Sequence, residues 1–242
     1  MARSRTGSAV ILFAAAVLTV AAALSASRGV ASQASYARIA KTAHQSDDSE
    51  LARAKAVNSM VAGWIQVEGT PLSLPVVQTR SERGNAFYLT HDLWGNPSPV
   101  GCPFIDDRTG EDDRHVLIYG HRDLRYDVAL TPLARSFEEE VFTEIGRAIW
   151  ETDEGITVFE PLCALHVDRS YQDIQRFVHT DAQELREWLG SLAKSADQAT
   201  EGWSQRIESA ERALTLSTCS TPAPGTRERT LFIWVSSSEG QE

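Results

Sequence analysis

The sequence predicts a mainly β domain, a barrel or sandwich, preceded by an apolar N-terminal segment and a polar helical stretch. Three observations carry this. After Gly63 the chain breaks into short β-like runs separated by turn residues. One longer amphipathic stretch, Asp181 to Ser195, interrupts them at helical spacing. The first 28 residues read as a membrane or signal segment.

Ala9 to Leu24 is apolar apart from Thr19, with Arg3 and Arg5 ahead of it and Arg28 behind. The run is short for a full span, but Ser25 to Ser27 bring it close to the usual length. Basic residues ahead of an apolar segment favour a cytoplasmic N-terminus, which places the rest of the chain outside. Small residues around Ala22 to Ala26 also suit a signal peptidase; either way the domain is exported. The expected organisation is an anchor or signal over 1–28, a polar stalk and N-terminal helix over 29–60, and the main folded domain over 61–242. Within the stalk, Asp47, Asp48 and Glu50 stand where acidic groups favour a helix start, ahead of Leu51 to Val61.

The expected strands are Trp64–Val67, Pro75–Gln78, Ala86–Leu89, Cys102–Ile105 and His115–Gly120, then Ile156–Phe159, Cys163–Val167, Ala213–Thr218 and Thr230–Val235. Leu130 to Phe137 reads as a short helix. In Asp181 to Ser195 the residues Leu185, Trp188, Leu189 and Leu192 share one face, and Asp181 stands at the N-cap.

Of 242 residues, 42% are apolar, enough for a sizeable core, and the net charge of −10 argues against nucleic acid, whose phosphates need a basic face. The three cysteines, Cys102, Cys163 and Cys219, have no zinc-ligand spacing. Asp106, Asp107, Glu111, Asp112 and Asp113 read as a solvated loop rather than a calcium site, so no metal and no cofactor are expected. Cys102 and Cys163 are either buried single thiols or a disulfide pair, since sequence does not set their separation.

Cys219 ends the run Ala213-Leu214-Thr215-Leu216-Ser217-Thr218 and is followed by Ser220, Thr221, Pro222, Ala223, Pro224 and Gly225, which cannot continue a central strand. On a strand, Ala213, Thr215, Ser217 and Cys219 share a face. His121 leaves a second strand, on the face of His115, Leu117 and Tyr119. Arg229 opens the last strand, where a hairpin-like return brings it beside the thiol. Thiolate, imidazole and guanidinium are the nucleophile, proton carrier and charge stabiliser of acyl transfer. Arg227 is a second candidate, sharing the face of Arg229 if the strand begins that early.

The order and setting of these residues resemble the sortases, class B in particular. Thr215-Leu216-Ser217-Thr218-Cys219 is similar to the family's nucleophile signature, Ile118-Tyr119-Gly120-His121 to its histidine strand, and Arg229 to its third position. Val61-Ala62-Gly63-Trp64-Ile65, Gly69-Thr70, Leu74 to Gln78, Tyr88-Leu89, Gly101 to Asp106 and Asp168 to Tyr171 continue the likeness in order. The long interval between His121 and Cys219, with its helix, resembles the class B insertion. Arg122 departs from the amide residue common in that class.

The resemblance implies a closed β-barrel with an N-terminal helix and an inserted helix before the nucleophile strand. It implies a cysteine transpeptidase that cleaves a C-terminal sorting motif of surface or pilin proteins through a Cys219 thioester. The acyl group then passes to a cell-wall peptide or lysine amine. Ser170, Tyr171, Thr218 and Leu117 are expected to border the motif's groove. Two other readings compete: a cysteine hydrolase with the same Cys–His pair, and a non-enzymatic surface module. Papain-like enzymes place Cys before His, the reverse of the order here, and the caspase signature is missing.

Overall fold

The structure, a computed structural model, describes Ser27 and residues 30–32, 34–39, 49–78, 84–123, 128–221 and 225–237. The strands are β1 (Val61–Val67), β2 (Ser73–Val77), β3 (Phe104–Ile105), β4 (His115–Tyr119), β5 (Ala148–Thr152), β6 (Gly155–Asp168), β7 (Gln198–Ala199), β8 (Arg212–Cys219) and β9 (Glu228–Ser236). The helices are α1 (Glu50–Val57), α2 (Glu139–Phe142), α3 (Ala182–Ser195) and α4 (Trp203–Glu208), and residues 34–39 are also helical. The order β5-β1-β2-β3-β4-β8-β9-β6 closes through a β5–β6 pairing into an eight-stranded barrel, and β7 lies on the outer side of β6.

Strand alternation sorts the apolar residues into two cores. Val116, Ile118, Leu214, Leu216, Phe232 and Trp234 fill the barrel together with Trp64 and Trp150. Their neighbours Leu117, Ala213, Leu231, Ile233 and Val235 face outward beneath α3. There Leu185, Trp188, Leu189 and Leu192 are buried as their spacing predicts, each contributing about 1.5–3 kcal/mol on transfer from water. Asp181 caps α3 by accepting from the Glu184 amide at 2.9 Å, a bond worth about 0.5–2 kcal/mol. Inside the barrel, a Cβ at Gly63 would lie 2.3 Å from the Trp150 ring, so the indole needs glycine there.

Several expectations are corrected. Ala86–Leu89 belongs to a 3-10 turn, Asn85–Leu89, not a strand. Ile156–Phe159 and Cys163–Val167 are one strand, β6, with a register shift between Pro161 and Cys163. Proline has no N–H for the ladder, so the pattern breaks there while the strand bends and continues. Strand β5, with alternating burial, was not foreseen. Leu130 to Phe137 is a 3-10 turn at Thr131–Leu133 followed by turns, with α2 after it. Ser49 caps α1 through a 3.2 Å bond from the Ala52 amide, and the helix stops at Val57; Asp47 and Asp48 lie outside the described residues.

Part of the expected stalk is docked on the barrel. Tyr36 is buried, stacks on Trp94 at 5.6 Å and accepts from the Leu93 amide. The expected anchor lies outside the described residues except for Ser27, and among those described no helix is long and apolar enough to cross a membrane.

Candidate active site

Two strand pairings build the site. β4 runs parallel to β8, with Tyr119 opposite Ser217 and the Gly120 amide bonded to the Ser217 carbonyl at 3.1 Å. The same register carried two residues onward brings the His121 end of β4 beside the Cys219 end of β8. On the other side of β8, antiparallel β9 sets Arg229 directly opposite Cys219. Cys219, His121 and Arg229 are all partly exposed and line one cavity of about 640 Å³.

The chain around these ends is tied down. Ser220, just past Cys219, is buried; its hydroxyl meets His166 Nε2 at 3.0 Å and its carbonyl accepts from Arg122. Arg122 thus joins the segment after His121 to the residue after Cys219, and it is not among the residues lining the cavity. His121 Nε2 lies 2.7 Å from the Leu89 carbonyl.

The two arginine candidates separate. Arg229 donates from one Nη to the carbonyls of Thr226 and Glu228, both at 2.9 Å, and borders the cavity. Strand β9 starts at Glu228, so Arg227 precedes it; its guanidinium holds both oxygens of Asp168 at 2.8 Å. That pairing keeps the Asp168 carboxyl well below the usual carboxylate range.

Thr218 lines the cavity, and its buried Oγ1 has no hydrogen-bond partner among the described residues. Ser170, Tyr171 and Leu117 do not line it. Ser170 is exposed and bonded to Asp168. Tyr171 packs at the margin of the α3 core, and Leu117 is buried within that core.

Other lining residues were not among the expected site residues: Leu89, Phe104, Asp107, Tyr119 and Arg169, with an Asp106–Arg108 pair. Tyr119 was legible as a face-mate of His121; Phe104 comes from β3, Leu89 from the 3-10 turn and the rest from loops, and only the fold brings them together. Burial alone would raise the Asp106 carboxyl, but Arg108 bonded to it brings it below its ordinary value. Burial, with the Asp106 charge beside it, pushes the Tyr119 hydroxyl up. Arg108 also donates to Gln175 at 2.9 Å and lies 4.5 Å over the Phe177 ring, tying the β6–α3 connection to the cavity wall.

Cys102 and Cys163 are free, buried thiols in different cores, and burial pushes both up. Of the acidic loop, Asp106 is held by Arg108, Asp112 accepts from Thr152, and Asp113 accepts from Thr109 and Gly110. Among the described residues no group of acidic, His or Cys side chains is arranged to hold a metal ion.

No protein-family model matches the chain. It is 23% identical over 176 residues to sortase B of Listeria monocytogenes, covering 71% of this chain and 68% of that one. It is 24% identical over 184 residues to sortase B of Staphylococcus aureus, covering 73% and 70%. The structure of a Staphylococcus aureus sortase B–substrate complex superposes with a TM-score of 0.66 at 18% identity, over 84% of this chain and 91% of that one. Clostridium perfringens sortase B superposes with a TM-score of 0.62 at 22% identity, over 75% and 96%. With the same barrel and a likeness in sequence along some seven-tenths of its length, the chain is similar to sortase B in both sequence and fold.

Proposed function

We propose that this protein cleaves a C-terminal sorting motif and joins the resulting acyl group to an amine, with Cys219, His121 and Arg229 as its catalytic residues. The observation that carries this is the register: β8 holds Cys219 between Arg229 on one side and the His121 end of β4 on the other, and all three border one cavity. A thiol at a half-exposed strand end is both held and reachable.

The chemistry follows from a thiolate–imidazolium pair. The Cys219 sulfur attacks the carbonyl carbon of the motif's Thr, and charge collects on the oxygen, where Arg229 stabilises it. The C–N bond breaks as His121 gives its proton to the leaving amine, which leaves a thioester and a neutral imidazole. An incoming amine attacks the thioester and loses its proton to His121. Sulfur departs as thiolate, and the starting pair is restored.

The acceptor is a cell-wall peptide or lysine amine, and the donors are surface or pilin proteins carrying the motif; the support is the likeness to sortase B. Residues 1–28 anchor the domain outside the cytoplasm, a reading supported by the apolar run behind Arg3 and Arg5. The test is incubation of the purified domain with a peptide library bearing Thr before the scissile bond, with and without triglycine or a diamine. Mass spectrometry should find a thioester on Cys219 and an amide adduct. Cleavage that never yields an adduct would make the protein a hydrolase.

A further inference from the structure

His121 stands apart from the usual picture of a catalytic histidine steered by a carboxylate. Its hydrogen-bond partner among the described residues is a main-chain oxygen, that of Leu89, at 2.7 Å from Nε2. Resting on the reading above, we infer that the Leu89 carbonyl is the positioning group of the site. It takes the hydrogen on Nε2 and leaves Nδ1 as the nitrogen that exchanges protons with the thiol and the amines.

A carbonyl oxygen only accepts, so the ring nitrogen facing it carries hydrogen. Neutral imidazole has a single N–H, and with that hydrogen on Nε2 the lone pair belongs to Nδ1. The bond survives protonation, because Nε2 is a donor in both charge states. The ring therefore keeps its orientation while Nδ1 gains and loses its proton. A neutral acceptor also steers the ring without setting a second negative charge near the thiolate.

The carbonyl is itself immobilised. Leu89 ends the 3-10 turn, and the oxygens on either side of it are taken: Tyr88 O by the Cys102 amide at 2.9 Å, Thr90 O by the Ser98 amide at 2.8 Å. Tyr88 is buried and its hydroxyl accepts from Asn58 at 2.8 Å. Gly101 permits the approach. Its φ is +60°, and a Cβ there would lie 2.2 Å from Tyr88 O and 3.0 Å from Leu89 O. Any side chain at 101 is strained and pushes on the two carbonyls that set the imidazole. The glycine, in another loop from the histidine, becomes a positioning residue for the reaction.

The experiment is a long-range proton–nitrogen correlation spectrum of histidine-labelled protein, recorded where the imidazole is neutral. The parent and Cys219→Ala proteins are compared, with the His121 signals assigned by their loss in His121→Gln. The expected result in both is a protonated Nε2 and an unprotonated Nδ1. Hydrogen on Nδ1 instead would overturn the inference. Gly101→Ala should lower kcat by about a hundred-fold, the scale of a roughly 1 Å misplacement, with KM little changed and the His121 tautomers mixed. A folded Gly101→Ala protein with parental turnover and an unchanged spectrum would also overturn it. If that variant does not fold, the parent spectrum decides. Transfer that survives Cys219→Ala would remove the proposed reaction while leaving the spectrum as it is, so the two claims fail separately.

Discussion

Replacing Arg229 with lysine tests the part of the site that sequence left divided between two arginines. Arg229 spends one Nη on the carbonyls of Thr226 and Glu228. That anchors the planar group while the rest of its fork borders the cavity opposite Cys219. An ammonium has neither the plane nor enough fixed donors to keep those bonds and also meet a developing oxyanion. Loss of one preorganised oxyanion donor costs about 10²–10³ in kcat, or about 2.7–4 kcal/mol. Arg229→Lys is therefore expected to lose roughly a hundred-fold in kcat, with a smaller change in KM. Arg227→Ala is the control: that side chain is exposed and engaged with Asp168, and turnover should stay near that of the parent. The assay is transfer from a motif peptide to an amine, followed by chromatography and mass spectrometry. Near-parental turnover in Arg229→Lys beside a dead Arg227→Ala would reverse the assignment. Parental turnover in both would remove arginine from the chemistry.

Further outcomes are expected. Cys219→Ala should form no thioester and no product yet melt within a few degrees of the parent, since the side chain is small and partly exposed. Leu189→Ala should destabilise the fold by about 2–5 kcal/mol in urea titration, because Leu189 is fully buried between α3 and the barrel wall. His115 is also fully buried, and burial holds its imidazole down at about 4 from an ordinary 6.5, against the Arg176 carbonyl that favours the charged form. The unfolded chain binds that proton more readily, so the contribution of neutral His115 is complete above about pH 6.5 and is lost as pH falls towards 4. At about 1.4 kcal/mol per pKa unit the span is about 3 kcal/mol, and His115→Gln should flatten stability across that window. Arg108→Gln should raise KM more than it lowers kcat, because the β6–α3 connection loses its tie to the cavity wall; the reverse split would refute that role.

The correspondence between pattern and fold is uneven for physical reasons. Helix α3 was legible to within a residue because its cap and apolar stripe are both local. Strands β4, β8 and β9 were legible because alternation and turn residues frame them. Strand β5 was missed since Ala-Ile-Trp-Glu-Thr is short and mixes polar with apolar residues. It is a strand because β1 and β6 pair with it on either side and close the barrel. The Tyr88-Leu89 segment has β-like composition but turns, placing its carbonyls against Gly101 and His121.

The sequence by itself determined a mainly β domain with a capped helix before its last strands, and a cysteine and a histidine each at a strand end. These follow from period, caps and chain breakers, which act between residues a few positions apart. Tertiary structure alone decided that β4 and β9 flank β8, and so which arginine faces Cys219. It also decided that Leu117 belongs to the α3 core, that Cys102 and Cys163 lie apart, and that a carbonyl more than thirty positions from His121 in the chain takes its Nε2 hydrogen. Register, barrel closure and loop docking are contacts between distant residues, set by which faces must be buried together, and no local pattern encodes them.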